Sequence, residues 1–493
     1  MSRKEEEYTI RLKKAAAARK QGIDPYPGRV ERSHTLIQVR ARFDDLEKTQ
    51  SPVQIVGRLM TIRAHGGSTF ATIDDGSSTF QIYLKRDTIG ESMYQQFSDI
   101  FDAGDFVGVT GTLFRTKKNE MTVLVTACTL LTKTLLPLPE KWHGLSDIEI
   151  RYRQRYLDLL SNPAVRSIFI KRAKLIETIR NVVTANGFME VDTPMLQPLA
   201  GGATARPFIT HHNALDADLY LRVAPELYLK RLLVGGFEKV FEIARCFRNE
   251  GIDRDHNPEF TQIELYAAYW DYKKMMQFTE EIFEAVVMAL HDTLIIHTHD
   301  FDIDFTPPFA RLTFRDAILQ YARIDIDAMD KPTLFQSARS FGLDIPTHAS
   351  KAKILDELFK ETVRKNIVDP TFIMDYPIEL SPLAKKIPTQ ERYVERFQLV
   401  AGHRELCNAF TELNDPVDQR ARFEEQEKMR ADGDDEAQRI DEDFIEALAH
   451  GMPPTAGIGI GIDRLAALLT DSQNLKEVIL FPTLKPKQSD YEN

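Results

Sequence analysis

The spacing of hydrophobic and polar positions changes several times along the chain. From Arg3 to Lys20 the run RKEEEYTIRLKKAAAARK, with the strong helix formers Ala15 to Ala18, predicts a helix. Gly22 and Pro25-Tyr26-Pro27 end it. From about Ser51 to Lys133 apolar residues alternate with polar ones in VQIVGRLMTIR, STFATIDDG, STFQIYLKR, FVGVTGTLFRT and EMTVLVTACTLLTK. Gly, Asp or Asn turns separate these five strands. Leu135 to Trp142 is a Pro-rich linker, and residues 146–162 form an amphipathic bridge rich in Arg and Tyr. Helical spacing then dominates from Arg166 to Asn186, with Ile168, Leu175, Ile179 and Val182 on one face and Gly187 as C-cap. A strand from Val240 to Ile243 leads into a polar loop, and extended structure resumes near Phe260. Residues 271–300 read as helix then strand, and residues 314–368 as mostly helical with breaks at Pro332 and Pro346. TFIMDYPIELSPLAKK and ERFQLVAGHRELCNAFTELNDP are strand-like, with turns. The chain finishes on PPTAGIGIGIDRLAALLT, a Gly-alternating strand running into a helix.

This order predicts an α+β multidomain protein. Residues 1–50 form a basic helix and lead-in. Residues 51–134 form a small Greek-key β-barrel of the OB-fold type, a framework that commonly binds single-stranded nucleic acid. A linker covers 135–165. The larger domain, 166–493, is built on a mainly antiparallel sheet flanked by helices, with the helical insertion at 314–368 covering one side of it.

Composition narrows the partners. The 493 residues carry 43% hydrophobic and 28% charged side chains, ordinary soluble values. A net charge of −11 argues against nucleic-acid binding over the whole surface and leaves room for a local basic patch. The N-terminal helix, with seven Lys/Arg against three Glu, suits a solvated face or a phosphate-contacting arm about equally. Between Glu424 and Asp443, ten Asp/Glu against three Lys/Arg read as a solvated helical face. No run approaches the roughly 18 apolar residues that span a bilayer, and MSRKEEEYTI lacks the apolar core of a signal peptide. No membrane association and a cytoplasmic location are therefore expected. The three cysteines, Cys128, Cys246 and Cys407, are far apart, with no CxxC, so neither a zinc site nor a disulfide framework follows. His211 and His212 adjoin on a strand and point to opposite faces, which does not suit a shared metal.

Candidate chemistry centres on VFEIARCFRNEGIDRDHNPEFTQIE, Val240 to Glu264. An Arg at the mouth of a strand–loop–strand unit can grip phosphate oxygens with a bidentate fork. The Gly457, Gly459, Gly461 series lacks the register of a dinucleotide fingerprint and makes a flat floor under a purine, with Arg464 at the start of the following helix. There is no Walker A motif, and no HIGH-like or KMSKS-like pair. FRNEG…HNPEF resembles motif 2 of the class II aminoacyl-tRNA synthetases in the lysyl form. GFMEVDTPML, with Pro194, resembles motif 1 at that family's dimer interface, and GIGIGIDR resembles motif 3. GRLMTIR…STFATIDD…FQIYLKRD is similar to the family's anticodon-binding domain.

The resemblance implies a homodimeric, ATP-dependent ligase that forms lysyl-adenylate and then lysyl-tRNA. It places Arg248 on the α-phosphate and the lysine carboxylate, and Arg464 on the γ-phosphate. Glu250, His256 and Asn257 fall at the adenosine end, with Phe260 on adenine. Arg63, Phe70, Gln81 and Glu120 fall on anticodon-contacting positions, although by composition alone Phe70 reads as a core aromatic. Aspartyl and asparaginyl relatives share the architecture, so the amino acid is chosen by the site. Here Glu226 (APEL), Glu264 with Tyr266 (QIELY) and Glu412 (FTELND) supply carboxylates, which suit a substrate cation. Glu412 and Tyr266 are expected at the ε-ammonium, Glu226 with Gly202 at the α-amino group, and Asn408 at the carboxylate. The family's two magnesium carboxylates fall on Gln398 and Glu405, so one is replaced by an amide, and a functional but looser Mg²⁺ site is expected. A catalytically silent tRNA-binding paralogue is the alternative from another class. Intact Arg248, Glu250 and Arg464 speak against it.

Overall fold

The computed structural model describes residues 3–138, 147–203, 205–347, 349–431 and 439–486. The end of the linker, including Trp142, and the most acidic stretch, 432–438, lie outside the described residues. The chain divides into two compact units, residues 1–145 and 146–493.

In the first unit α1 (Arg3–Lys20) precedes β1 (Val53–His65), β2 (Ser68–Asp74), β3 (Thr79–Lys85), α2 (Glu91–Ile100), β4 (Phe106–Arg115) and β5 (Met121–Thr132). The strands close into a barrel in the order β1-β2-β3-β5-β4, with β3 and β5 parallel. Their period-2 pattern sends Ala71, Ile73, Ile82, Leu84, Val107 and Val109 inward. The pieces read separately as 1–50 and 51–134 share one core, since Ala18, Leu36, Val39 and Phe43 pack with the barrel residues. Two of the basic residues of α1 face inward. Arg11 donates to the Ala103 carbonyl at 3.0 Å, and Lys14 meets Asp102 at 2.6 Å.

The second unit contains α3 (Pro163–Ala185), α4 (Glu226–Val234), the hairpin β6 (Lys239–Phe247) and β7 (Glu259–Ala268), and α5 (Tyr272–His291). Three insertion helices follow: α6 (Phe314–Ala322), α7 (Lys331–Ser340) and α8 (Lys351–Thr362). Pro332 opens α7, where its missing N–H costs nothing. Then come β8 (Thr371–Pro377), β9 (Gln390–Ala401), β10 (Arg404–Thr411) and β11 (Thr455–Gly461), which runs into α9 (Ile462–Leu469).

Nine described strands make one sheet, with β8-β9-β10-β11-β7-β6 at its centre. These pairs are all antiparallel, and the two parallel pairings lie outside them, Ala310–Thr313 with β8 and Met189–Glu190 with β6. The register sorts the sheet's two faces. Phe397, Leu399, Cys407, Ala409, Ile458, Ile460, Ile263 and Leu265 pack against Met275, Ile282, Phe283 and Val286 of α5 and Leu175, Ile179 and Val183 of α3. The intervening positions are polar residues and glycines, interrupted by Phe410, Tyr266 and Val240. One row crosses five strands as Gln398, Asn408, Gly459, Glu264 and Glu242. The next row runs Arg396, Phe410, Gly457, Tyr266 and Val240. The insertion helices bury Phe314, Ile318, Leu334, Ile354 and Leu358 against Ile373, Val394 and Val400 of the sheet.

Candidate active site

The polar face of this sheet opens into a cavity of about 710 Å³. Every residue expected at the nucleotide, the lysine or the metal lines it, together with Lys353, Asp356, Lys360 and Arg364 of the insertion. β11 forms its floor with Gly457, Gly459 and Gly461 on the cavity side and Ile458 and Ile460 in the core. A Cβ at Gly457 would collide with Glu412 Oε1 and the Tyr266 ring. At Gly459 the nearest atom to a Cβ is 3.6 Å away and at Gly461 3.8 Å, so there the missing side chains leave space for a ligand.

The side expected to hold the phosphates is built by the β6–β7 hairpin. Arg248 sits at its mouth, with its backbone N–H donating to the Pro258 carbonyl at 2.8 Å. Its guanidinium lies 5.0 Å from the Phe260 ring centre. Among the described residues its buried Nε has no hydrogen-bond partner. His256 contacts Asp253 through Nδ1 at 2.9 Å, and its Nε2 lies 3.4 Å from Arg464 Nη2. Burial opposes ionisation of Asp253, but its hydrogen bonds with His256 and the Asp255 N–H hold its carboxyl below the usual range. Asn257 donates to the Glu259 carbonyl at 2.6 Å, and its buried Oδ1 has no hydrogen-bond partner among the described residues. Asp463, buried at the start of α9, accepts from the Thr261 N–H at 2.9 Å and pairs with Arg172 of α3 at 2.6 Å. That knot ties α9 and its Arg464 to the hairpin.

The opposite end carries three acidic side chains. Glu226, Glu264 and Glu412 are all buried. Glu264 accepts from Gln262 at 2.5 Å and from the Tyr266 hydroxyl at 2.9 Å, so Tyr266 faces Glu264 in this structure. Burial first, and the Glu226 charge second, push the Glu264 carboxyl up to about 8. Burial likewise raises Glu226 and Glu412, with Lys230 opposing it. Gly202 has φ +88°, and a Cβ there would stand 3.0 Å from Glu226 Cβ. Asn408 Oδ1 accepts from Arg396 Nε at 2.8 Å.

Gln398 is buried beside this row, and its Oε1 accepts from the Tyr376 hydroxyl at 2.8 Å. Glu405 lines the same cavity. No group of three His, Cys, Asp or Glu spaced for a metal occurs among the described residues. The donor set suits Mg²⁺ only as an ion shared with phosphate oxygens: one carboxylate, plus an amide oxygen that already accepts one hydrogen bond.

On the barrel, Phe70 lies outward, between the buried Thr69 and Ala71. It stacks on Tyr83 at 4.4 Å, pairs in register with Arg63, and Phe114 stands 6.0 Å beyond Tyr83. The composition-based expectation of a core aromatic at Phe70 is therefore corrected, because strand parity turns it to the surface. Gln81 donates to Thr122 Oγ1 at 2.8 Å, and Glu120 is exposed. Tyr83, Phe114, Lys230, Arg396 and Tyr376 were not singled out in the sequence. The i,i+4 spacing of Glu226 and Lys230, and the strand parity that Tyr83 shares with Gln81 and Arg396 with Gln398, were the available signals, whereas Phe114 and Tyr376 lie on strands with no such residue.

Comparison with known proteins agrees with this geometry. Residues 147–485 match the family of tRNA synthetases class II (D, K and N), and residues 53–131 match the OB-fold nucleic acid binding domain. The chain belongs to the class II tRNA synthetases. It is 50% identical to the lysine–tRNA ligase of Moorella thermoacetica, over 97% of this chain and 98% of that protein. The lysine–tRNA ligases of Syntrophomonas wolfei and Oceanobacillus iheyensis are 48% and 47% identical, each over 98% of this chain and over 97% and 99% of their own lengths.

Proposed function

We propose that this chain activates lysine with ATP and transfers it to tRNA. It is a lysine–tRNA ligase, and the observation that carries this reading is the trio of buried carboxylates at one end of a cavity whose other end presents Arg248 and Arg464. A substrate cation needs an anionic pocket, whereas an aspartate-selecting site needs cations aimed at a carboxylate.

The residue roles follow from position. Asn408 must present its amide N–H groups to the cavity, because its oxygen faces a guanidinium that can only donate. It is thus poised for the lysine carboxylate, with Arg248 nearby to hold that carboxylate against the α-phosphate. The buried Oε1 of Glu412 lacks a donor among the described residues and suits the ε-ammonium, with Tyr266 and Glu264 beside it. Glu226 with Gly202 suits the α-amino group. Glu250, His256, Asn257 and Phe260 take the adenosine end, and Arg464 the γ-phosphate. Attack of the lysine carboxylate on the α-phosphate yields lysyl-adenylate and pyrophosphate. The terminal ribose hydroxyl of tRNA then displaces AMP. Neither step needs a covalent enzyme intermediate, so the residues act by positioning and by neutralising charge. Mg²⁺, when bound by Glu405, Gln398 and the phosphates, supplies further charge neutralisation.

The outward Arg63, Phe70, Gln81 and Glu120 of the barrel would read the anticodon. Exposed Met189, Met195 and Leu196 in the segment resembling motif 1, with Ile170 on the preceding α3, support a homodimer through the larger unit. Among the described residues no helix is long and apolar enough to cross a membrane, which is compatible with a cytoplasmic location. The test is ATP–pyrophosphate exchange with lysine, against aspartate and asparagine. Exchange driven by either control in place of lysine would overturn the assignment.

A further inference from the structure

The buried face of α4 carries a cation that the roles above do not use. Lys230 lies one helical turn after Glu226 and is 0% exposed. Its ammonium contacts Glu226 Oε1 at 2.5 Å and also Glu412 Oε2. The rings of Phe410 and Phe444 lie 5.3 and 5.9 Å from it. Burial works against this charge, but Glu226 and Glu412 together outweigh it and hold the ammonium above its ordinary pKa.

Each contact engages a single carboxylate oxygen. Glu412 Oε1 stays buried without a hydrogen-bond partner among the described residues, against the bare Cα of Gly457 on the cavity floor. On the other acid, Glu226 packs beside Gly202, whose φ of +88° and close approach exclude a side chain. The two carboxylates come from different elements, α4 and the segment following β10. The Lys230 ammonium touches both.

We propose that Lys230 is a positioning residue for amino-acid selection. By clamping Glu226 to Glu412 it fixes the distance between the subsites for the two ammonium groups of the substrate, and so sets the length of diamino acid that is activated. This rests on the assignment of those two carboxylates to the amino groups of lysine. The clamp holds the two carboxylates at one separation. A diamino acid lacking one methylene therefore reaches one subsite and falls short of the other.

The experiment is steady-state pyrophosphate exchange by full-length wild type and Lys230→Met, with lysine, ornithine and ATP each varied. Met keeps the apolar stem and removes the clamp. The lysine KM is expected to rise about tenfold or more, and the lysine-over-ornithine ratio of kcat/KM to fall about tenfold, the scale of discrimination that one methylene supports. The ATP KM should stay within about twofold, since the phosphate contacts lie at the other end of the cavity. An unchanged lysine KM, an equal rise in lysine and ATP KM, or an unaltered lysine-over-ornithine ratio would each overturn the role. If Lys230→Met does not fold, Lys230→Arg keeps the charge on a longer, planar head, and a wild-type ratio in that variant overturns the role equally. Wild type that shows no lysine-dependent exchange would remove the lysine-site assignment itself. Lysine-dependent wild type beside an unaltered Lys230→Met would remove Lys230 alone.

Discussion

Arg396 Nε donates to Asn408 Oδ1 at 2.8 Å across the β9–β10 pair, and this one bond orients the Asn408 amide. Arg396 is itself held by the Leu380 carbonyl and Ser381 Oγ, at 2.7 and 2.8 Å. Asn408→Asp would still accept from Arg396 but would present an acceptor where a donor is needed. We expect kcat/KM for lysine to fall about 10- to 100-fold, the loss of one hydrogen bond to a charged group. Exchange measured against lysine concentration checks this, and a near wild-type value would place the substrate carboxylate elsewhere.

Arg248 has the position of an electrostatic clamp, with its guanidinium over Phe260 and its fork open to the cavity. Arg248→Ala is expected to slow pyrophosphate exchange about 10²- to 10³-fold. Thermal unfolding should change little, because the side chain makes no described ion pair to lose. Near wild-type exchange in the variant would sink the motif 2 assignment.

Glu264 is expected to give lysine binding a pH dependence. Its carboxyl, lifted to about 8 by burial and by Glu226, is largely protonated below that value in the free protein. The groups facing it are Gln262, Tyr266, Glu226, Lys230 and Glu242. An incoming ammonium favours the carboxylate, so the bound state has the lower pKa, and binding between the two values releases a proton. Lysine KM should therefore fall as pH rises toward about 8, and Glu264→Gln should flatten that slope. A slope that survives the substitution points to Glu226 or Glu412 instead.

Gln398 stands where the family resemblance implies a magnesium carboxylate, with Tyr376 bonded to its amide oxygen. Gln398→Glu retains an acceptor for Tyr376 and adds a charge. In a magnesium titration of exchange at saturating ATP and lysine, the half-activating concentration should move downward. No shift, or an upward one, means that this position does not face the ion.

Phe70 stacks on Tyr83 at the barrel surface. Phe70→Ala should weaken tRNA charging by about 1–3 kcal/mol, the worth of one stacked base, and leave lysine-dependent exchange untouched. Tyr83→Ala should act in the same direction. Unchanged tRNA affinity in both variants would remove the anticodon platform.

What the sequence determined by itself is the part that depends on local periodicity and short motifs. Alternation at two residues marked the five barrel strands, helical spacing marked α3, and the hairpin motif and the glycine strand announced a nucleotide site. Those signals survive without a structure because backbone geometry and side-chain direction are set within a few residues. Tertiary structure alone decided how distant segments share one face. Only the strand register brings Gln398, Asn408, Gly459 and Glu264 into a single row, although they span more than one hundred residues of chain. Only packing shows that Tyr266 bonds Glu264, that Tyr376 occupies the amide of Gln398, and that Asp463 ties α9 to α3 and the hairpin. Lys230 is the clearest case. In sequence it is one more cation on an amphipathic helix, and charged side chains are mostly exposed. Burial between two carboxylates from separate elements gives it a task, and burial is a property of the whole fold.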